Sequence, residues 1–357
     1  MSGKSKKLLQ DYRVVGIMSG SSLDGLDLCL TKFNPSSPDK FHIEKAETIE
    51  IPSELKENLR SSDKLQSLDL LTLDIAYGQW IGQKVLHFIN GHERIDVIGV
   101  HGHTVFHHPD LGVSLQIGAG SAISQVTGIP VVDRFREKDV LLGGQGAPLV
   151  PFGEKFLFPT IPVFINLGGI ANISIHQNGV RAWDIAPCNQ VLNHFAMKLG
   201  HAFDRDGLIA RSGEIDPIWL RKLRSMPYFE QSPPKSLANQ FTKVILEDAP
   251  ERPENGLHTY SHFIAELITQ EIHKLEKPSE ILFSGGGAKN QFLMSSVSKQ
   301  LPTDCSILSA SETIIEYKEA LIFGFLAMNR LLWQPNILSE TTGSKTDTCS
   351  GVLHLPN

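Results

Sequence analysis

The sequence predicts an α/β protein of two domains built to one design. Three observations lead there. With 357 residues, 41% of them hydrophobic, the chain is long enough for two separate cores. Short β-rich runs alternate with stretches of helical periodicity. The second half also opens as the first does, with an apolar strand, a turn of small residues and a second strand.

Residues 13–18 form the first β-rich run, SGSSLDG is a string of turn formers, and residues 26–33 alternate in strand fashion. The chain therefore opens as a hairpin with a Gly/Ser-rich tip, and Gly25 is the expected left-handed residue of that turn. Leu71, Ile75, Gly78, Gly82, Val85 and Ile89 recur at helical spacing, and the buried-strand pattern IDVIGV then runs into His101. Residues 129–133 read as a further strand. In the second half residues 163–167 are apolar, Gly168 and Gly169 make a turn, and a strand resumes at 172–175 before a turn at 177–179. Ile264, Leu267, Ile268, Ile272 and Leu275 form a helical stripe, and residues 281–284 a strand. GGGAKN then leads into a helix from about Gln291, and another helix covers 317–332. Residues 35–39, 231–235 and 249–256 are loops by composition. The division falls near residues 148–159, giving a first domain of 1–150, joined by the C-terminal segment 337–357, and a second of 151–336.

A formal net charge of −6 supplies no basic field for a nucleic acid, so a small-molecule ligand is expected. Cys29, Cys188, Cys305 and Cys349 are far apart and lack CxxC spacing, which fits a reducing compartment. The basic start MSGKSKKLLQDYR has no apolar stretch of a signal peptide, and the longest apolar run, 320–328, is too short to span a bilayer. A cytoplasmic protein without membrane association is the expectation.

Several segments could carry chemistry. At the first hairpin tip, Gly20-Ser21-Ser22-Leu23-Asp24-Gly25-Leu26-Asp27 would let backbone N–H groups approach a phosphate, with serine hydroxyls as further donors and a carboxylate to hold water on Mg²⁺. A plain tight turn is the alternative. Gly3-Lys4-Ser5 is no P-loop, because it has no glycine five residues upstream and follows no strand. Ser284-Gly285-Gly286-Gly287-Ala288-Lys289-Asn290 suits a nucleotide against bare backbone at a helix N-terminus, or else a close helix–strand packing turn. The run from His101 through His103 to His107 and His108 offers imidazoles for zinc, but no Cys or carboxylate pattern completes a site and HExxH is absent. A ligand-facing loop after a strand is preferred. Arg134 or Arg136 could grip a carboxylate bidentately, and the following GGQGAP permits close backbone approach or a hinge. Asp184 is placed at a strand end just before a helix, as a general base or as an N-cap.

Taken together, GIMSGSSLDGLD, HGHTVFHHP, LQIGAG, DRFREKDVLLGGQGAPLVP, FINLGGIANIS, WDIAPCNQVLNH, DRDGLIARSG, PPKSLANQF, FSGGGAKNQFLM and YKEALIFGFLA occur in an order that resembles the anhydro-N-acetylmuramic acid kinases. The resemblance runs from about Arg13 to the end. It implies two duplicated ribonuclease H-like domains of the actin and sugar-kinase type with an ATP cleft between them. It further implies that residues 20–27 are the first phosphate-binding hairpin, Asn166, Gly168 and Gly169 part of the second, and Gly285, Gly286, Gly287 and Asn290 part of the adenosine side. Asp184 matches the family's catalytic aspartate, and Asp24, His103, Arg136 and Glu319 are implied substrate-side groups. The implied reaction consumes Mg-ATP, water and 1,6-anhydro-N-acetylmuramate and yields ADP and N-acetylmuramate 6-phosphate, and the family suggests a homodimer. A kinase for another sugar, or an ATP-driven switch protein, would share the fold. This chain departs from the family's GTS with Gly20-Ser21-Ser22 and from its HGQT with HGHT. It also departs from the family's TGPGN with Ile185-Ala186-Pro187-Cys188-Asn189, which removes two glycines beside the aspartate.

Overall fold

The computed structural model describes residues 10–20, 23, 25–90, 94–233, 235–237, 241–275 and 280–357. The chain divides into two compact units, Met1–Pro159 with Tyr317–Asn357, and Thr160–Glu316, so that the second division falls inside the helix Glu312–Leu331.

The first unit is built on β1 (Tyr12–Met18), β2 (Leu26–Phe33), β3 (His42–Ile49), β4 (Val97–Val100) and β7 (Val131–Asp133), with a separate hairpin of β5 (His103–His108) and β6 (Val113–Ile117). β1, β2 and β3 form an antiparallel meander, while β4 and β7 continue the sheet parallel to β1. The C-terminal strand Val352–His354 closes the edge, antiparallel to β7. The helix Glu312–Leu331 lies directly on this sheet because glycines leave room for it. A β-carbon on Gly16 would fall 1.8 Å from the Ala320 carbonyl oxygen, and one on Gly99 would fall 2.3 Å from that of Phe323.

On the helix Ser67–Phe88, Tyr77, Ile81, Val85 and Phe88 face the core, and Gly78 and Gly82 admit the helix Gly120–Thr127. Leu71 and Ile75, expected on the buried stripe, stand exposed at 59% and 51%. The stripe rotates to the Leu73–Tyr77–Ile81 row, which packs into the core of the first unit.

The second unit comprises β8 (Val163–Leu167), β9 (Ile170–Ile175), β10 (Arg181–Pro187), β11 (Glu280–Ser284) and β12 (Ser306–Ile307), in the order β10-β9-β8-β11-β12. β8, β9 and β10 are antiparallel, and β11 and β12 run parallel to β8. Strand order and sense therefore match those of β3-β2-β1-β4-β7 in the first unit. Ile264, Leu267, Ile268 and Ile272 bury one face of the helix Pro253–His273 in this core. That helix starts inside the stretch read as the loop 249–256, since proline is well tolerated at the first helical position, where no N–H bond is lost. All four cysteines are free, and among the described residues no helix is long and apolar enough to cross a membrane.

Candidate active site

In the first unit, the backbone turns between β1 and β2 by a hydrogen bond from Leu23 N to Gly20 O of 3.1 Å. Among the described residues of this turn Leu23, at φ 54°, is left-handed, and the expected Gly25 is not. Ser21, Ser22 and Asp24 lie outside the described residues. Leu26 and Asp27 begin β2, and the Thr48 hydroxyl donates to Asp27 Oδ1 at 2.6 Å. The histidine run is a strand and not a loop: His103 pairs with Ile117 and His107 with Ser114 across the β5–β6 hairpin. Among the described residues no group of three or more His, Cys, Asp or Glu side chains is placed to hold a metal ion. His101 and His107 instead bond to protein, whereas the buried His103 Nδ1 has no hydrogen-bond partner among the described residues. His107 Nδ1 lies 3.0 Å from Ser114 Oγ, which also accepts from Gln116 Nε2 at 3.1 Å. His103 is buried, and burial holds its imidazole below the usual range.

Arg136 follows β7 and donates from Nη1 to the Gly146 carbonyl at 2.6 Å. The loop of residues 143–148 is pinned rather than hinged. Asp139, fully buried, accepts from Gly146 N at 2.8 Å and from Thr342 Oγ1 at 2.8 Å, and a β-carbon on Gly144 would fall 2.2 Å from Asp139 Oδ2. Arg134 is set apart from this arrangement at φ 50°, with Glu137 3.7 Å away.

Glu319 lies within the helix Glu312–Leu331, past its first turn, so a favourable helix-start position does not account for it. Its neighbour Lys318 is buried and ion-paired with buried Glu154. Removal from water raises the Glu319 carboxyl, outweighing the opposing pull of Lys318 and Arg136, and the negative Asp27 pushes it the same way. Arg136 feels the same surroundings: loss of hydration lowers its guanidinium to about 10, against the pull of Glu319 and Asp139. The first unit thus gathers Asp27, Arg136 and Glu319 into one electrostatic group.

In the second unit the parallel strands β8 and β11 end side by side, with Ser284 opposite Asn166 and its hydroxyl donating to Asn166 Oδ1 at 3.2 Å. Gly168 and Gly169 form the β8–β9 turn, and their carbonyls accept from Asn189 N at 3.1 Å and Cys188 N at 2.7 Å. The Asn189 amide donates to Leu167 O at 3.0 Å. Gly285 leaves β11 at φ 82° and ψ 165°, and Gly286–Lys289 makes a single tight turn. Asn290 caps the helix Gln291–Gln300, its Oδ1 accepting from Leu293 N at 3.0 Å.

Asp184 lies within β10, which runs on to Pro187, and not at a strand end. The register shifts between Asp184 and Ala186, leaving Ile185 as the extra residue of a bulge, a device that re-aims neighbouring side chains. Cys188, not Asp184, is the N-cap residue of the helix Asn189–Lys198. Asp184 Oδ2 accepts from Leu237 N at 2.9 Å, its own N–H donates to Lys235 O at 3.1 Å, and its carbonyl accepts from Tyr228 OH at 2.8 Å. Burial raises this carboxyl, and the Leu237 amide only partly offsets that. A raised carboxylate with one strong donor is better poised to take a proton than one saturated with donors. Tyr228, Lys235 and Leu237 come from a distant, loop-rich part of the sequence, and nothing local marks them as neighbours of Asp184.

Matching strand order in the two sheets, with glycine turns at strand ends and a partly buried carboxylate beside a bulge, defines a mixed α/β protein. The family profile described as anhydro-N-acetylmuramic acid kinase matches residues 12–356. Curated relatives of that name include one from Mannheimia succiniciproducens, 31% identical over 95% of this chain and 98% of its own. The Vibrio parahaemolyticus relative is 33% identical over 96% of this chain and 98% of its own, and that of Aliivibrio fischeri 31% over 97% and 100%. The chain belongs to the anhydro-N-acetylmuramic acid kinase family.

Proposed function

We propose that the protein is an ATP-dependent kinase that hydrolytically opens 1,6-anhydro-N-acetylmuramate and phosphorylates O6, giving N-acetylmuramate 6-phosphate and ADP, in peptidoglycan recycling. The observation that carries the chemistry is Asp184. Its carboxylate is raised by burial, fixed by the Leu237 amide at 2.9 Å and set on a bulge. It would take a proton from water as that water attacks C1, and the freed O6 would then attack the γ-phosphate in line. Family membership over nearly the whole chain supports the substrate.

We assign the triphosphate to the backbone of residues 20–27 in the first unit and to Asn166, Gly168 and Gly169 in the second, with Gly285, Gly286, Gly287 and Asn290 toward the nucleoside. Asp24, His103, Arg136 and Glu319 are assigned to the sugar, with Arg136 as the partner of its lactyl carboxylate. Mg²⁺ favours oxygen ligands and keeps several waters, so it would arrive on the triphosphate. Asp27, an oxygen donor anchored by Thr48, fits a water-mediated contact to it and would help neutralise phosphate charge. Matching strand order in the two units supports a duplicated ribonuclease H-like architecture of the sugar-kinase type. A cytoplasmic homodimer completes the reading.

The test is ADP release from Mg-ATP with and without the anhydro sugar, with mass analysis of the sugar product and an Asp184→Asn control. Sugar-dependent ADP with a ring-opened 6-phosphate, lost in the variant, is the expected result. ADP release indifferent to the sugar would overturn the proposal.

A further inference from the structure

Arg136 is held by two acceptors that carry no net charge. Its Nε and Nη2 lie 3.2 and 2.8 Å from His101 Nε2, and its Nη1 donates to Gly146 O at 2.6 Å. A guanidinium has five N–H groups, so these bonds leave one on each terminal nitrogen, enough for a two-point grip on a carboxylate. His101 can accept in this way only if Nε2 is bare. The Gly102 carbonyl, 2.8 Å from Nδ1, takes the ring's one N–H and so fixes that tautomer. Burial, and then the Arg136 charge, hold the imidazole well below its usual range.

A guanidinium removed from water is ordinarily paired with a carboxylate. Here, among the described residues, no carboxylate comes within ion-pair distance of Arg136. Glu319 and Asp139 act on it only from farther away, and Asp139 places its two oxygens on Gly146 N and Thr342 Oγ1. His101 is itself fixed: it is 6% exposed and its ring centroid lies 4.8 Å from that of Phe323.

We infer that His101 is a positioning residue that fixes Arg136 without placing a carboxylate in direct contact with it, so that the guanidinium stays open to grip an anionic group on the sugar. The inference rests on the kinase reading above and deepens it. A neutral acceptor supplies geometry without neutralisation, whereas a carboxylate at the same place would supply both and cancel the attraction for a second anion.

The experiment compares 1,6-anhydro-N-acetylmuramate with its neutral lactyl amide on the full-length chain, as wild type, His101→Gln and His101→Glu. Sugar binding by calorimetry is read beside steady-state rates. Wild type is expected to favour the acid by about tenfold or more in KM, the scale of a charge-assisted two-point contact. His101→Gln keeps a neutral acceptor and is expected to retain that preference within about threefold. His101→Glu is expected to raise KM for the acid by about tenfold and to leave KM for the amide and for ATP within about twofold. A purely structural role would shift both sugars by one factor, and that result overturns the inference. So does a wild type that binds acid and amide alike, a comparison that needs no variant to fold. A chain that binds the acid selectively without sugar-dependent ADP release would count against the kinase reading alone.

Discussion

Gly285 and Gly286 are adjacent, yet the structure assigns them different reasons for being glycine. Gly285, at φ 82° and ψ 165°, occupies a region nearly closed to other residues. A β-carbon there would lie 2.7 Å from Asn166 Oδ1 and 2.9 Å from both the carbonyl carbon and oxygen of Leu167, and the latter two are backbone atoms that cannot step aside. Gly285→Ala therefore costs about 2 kcal/mol in backbone strain and roughly 1–2 kcal/mol in overpacking. For a unit of the size of Thr160–Glu316, which holds Gly285, a loss of about 3–4 kcal/mol lowers Tm by roughly 6–16 °C. Gly286 is exposed, and its β-carbon would meet nothing nearer than Asn189 Nδ2 at 3.7 Å, so Gly286→Ala is expected to melt with the wild type. If a nucleotide approaches bare backbone here, that same variant raises KM for ATP by about tenfold. Thermal melts and ATP titrations of both variants separate the two effects. A Gly285→Ala protein melting within about 2 °C of wild type would refute the steric reasoning, and an unchanged ATP KM in Gly286→Ala would refute the nucleotide assignment.

Asp184→Asn is expected to reduce turnover about 10²- to 10⁴-fold while keeping the fold, since an amide oxygen still accepts from Leu237 N; the assay is sugar-dependent ADP release. The raised Asp184 pKa means the folded protein holds that proton more tightly than the unfolded chain, so ionisation above the folded pKa costs stability. Asp184→Asn should accordingly raise Tm at pH 8 and leave it unchanged near pH 3, and the wild-type rate should rise with pH as the base ionises. Breaking the buried pair by Lys318→Met is expected to cost about 3–5 kcal/mol in urea unfolding, and the double variant with Glu154→Leu should recover much of it.

Most strands of the two sheets were legible because apolar runs bounded by Gly, Ser and Asn leave few alternatives, as at Val163–Leu167 and Glu280–Ser284, whereas the mixed or short edge strands His42–Ile49, Ser306–Ile307 and Val352–His354 carry no such run. The histidine strand β5 escaped notice because polar residues dominate it and its partner β6 follows only a short turn later. The unit boundary at Glu316/Tyr317 leaves no compositional mark either, since the helix passes through it with neither Gly nor Pro before Gly324. Asp184 could be picked out as a candidate from its motif. Its bulge could not, because a bulge is a relation between two strands, and neither could its contacts with Lys235 and Leu237, more than fifty residues away. His101 was visible only as one histidine among several, and its pairing with Arg136 depends on β4 and β7 lying side by side.

The departure beside Asp184 can be weighed from its surroundings. Where the family's pattern has glycines, this chain places Ala186 and Cys188, and both are fully buried, with Ile185 at 2% exposure in the same core. The added carbons therefore fill interior space of the second unit. Backbone shape here is set by other means. The bulge accommodates Ile185 as an unpaired residue, the Tyr228 hydroxyl donates to the carbonyl of Asp184, and the Tyr260 hydroxyl donates to that of Pro187 at 2.7 Å. Two tyrosines from separate helices thus fix the strand on either side of the bulge. Ala186, paired with Ala171 within β10 and held between the two hydroxyl donors, therefore needs no glycine freedom, whereas Cys188, at φ −120° and ψ −95°, takes a backbone conformation outside the main helical and extended regions.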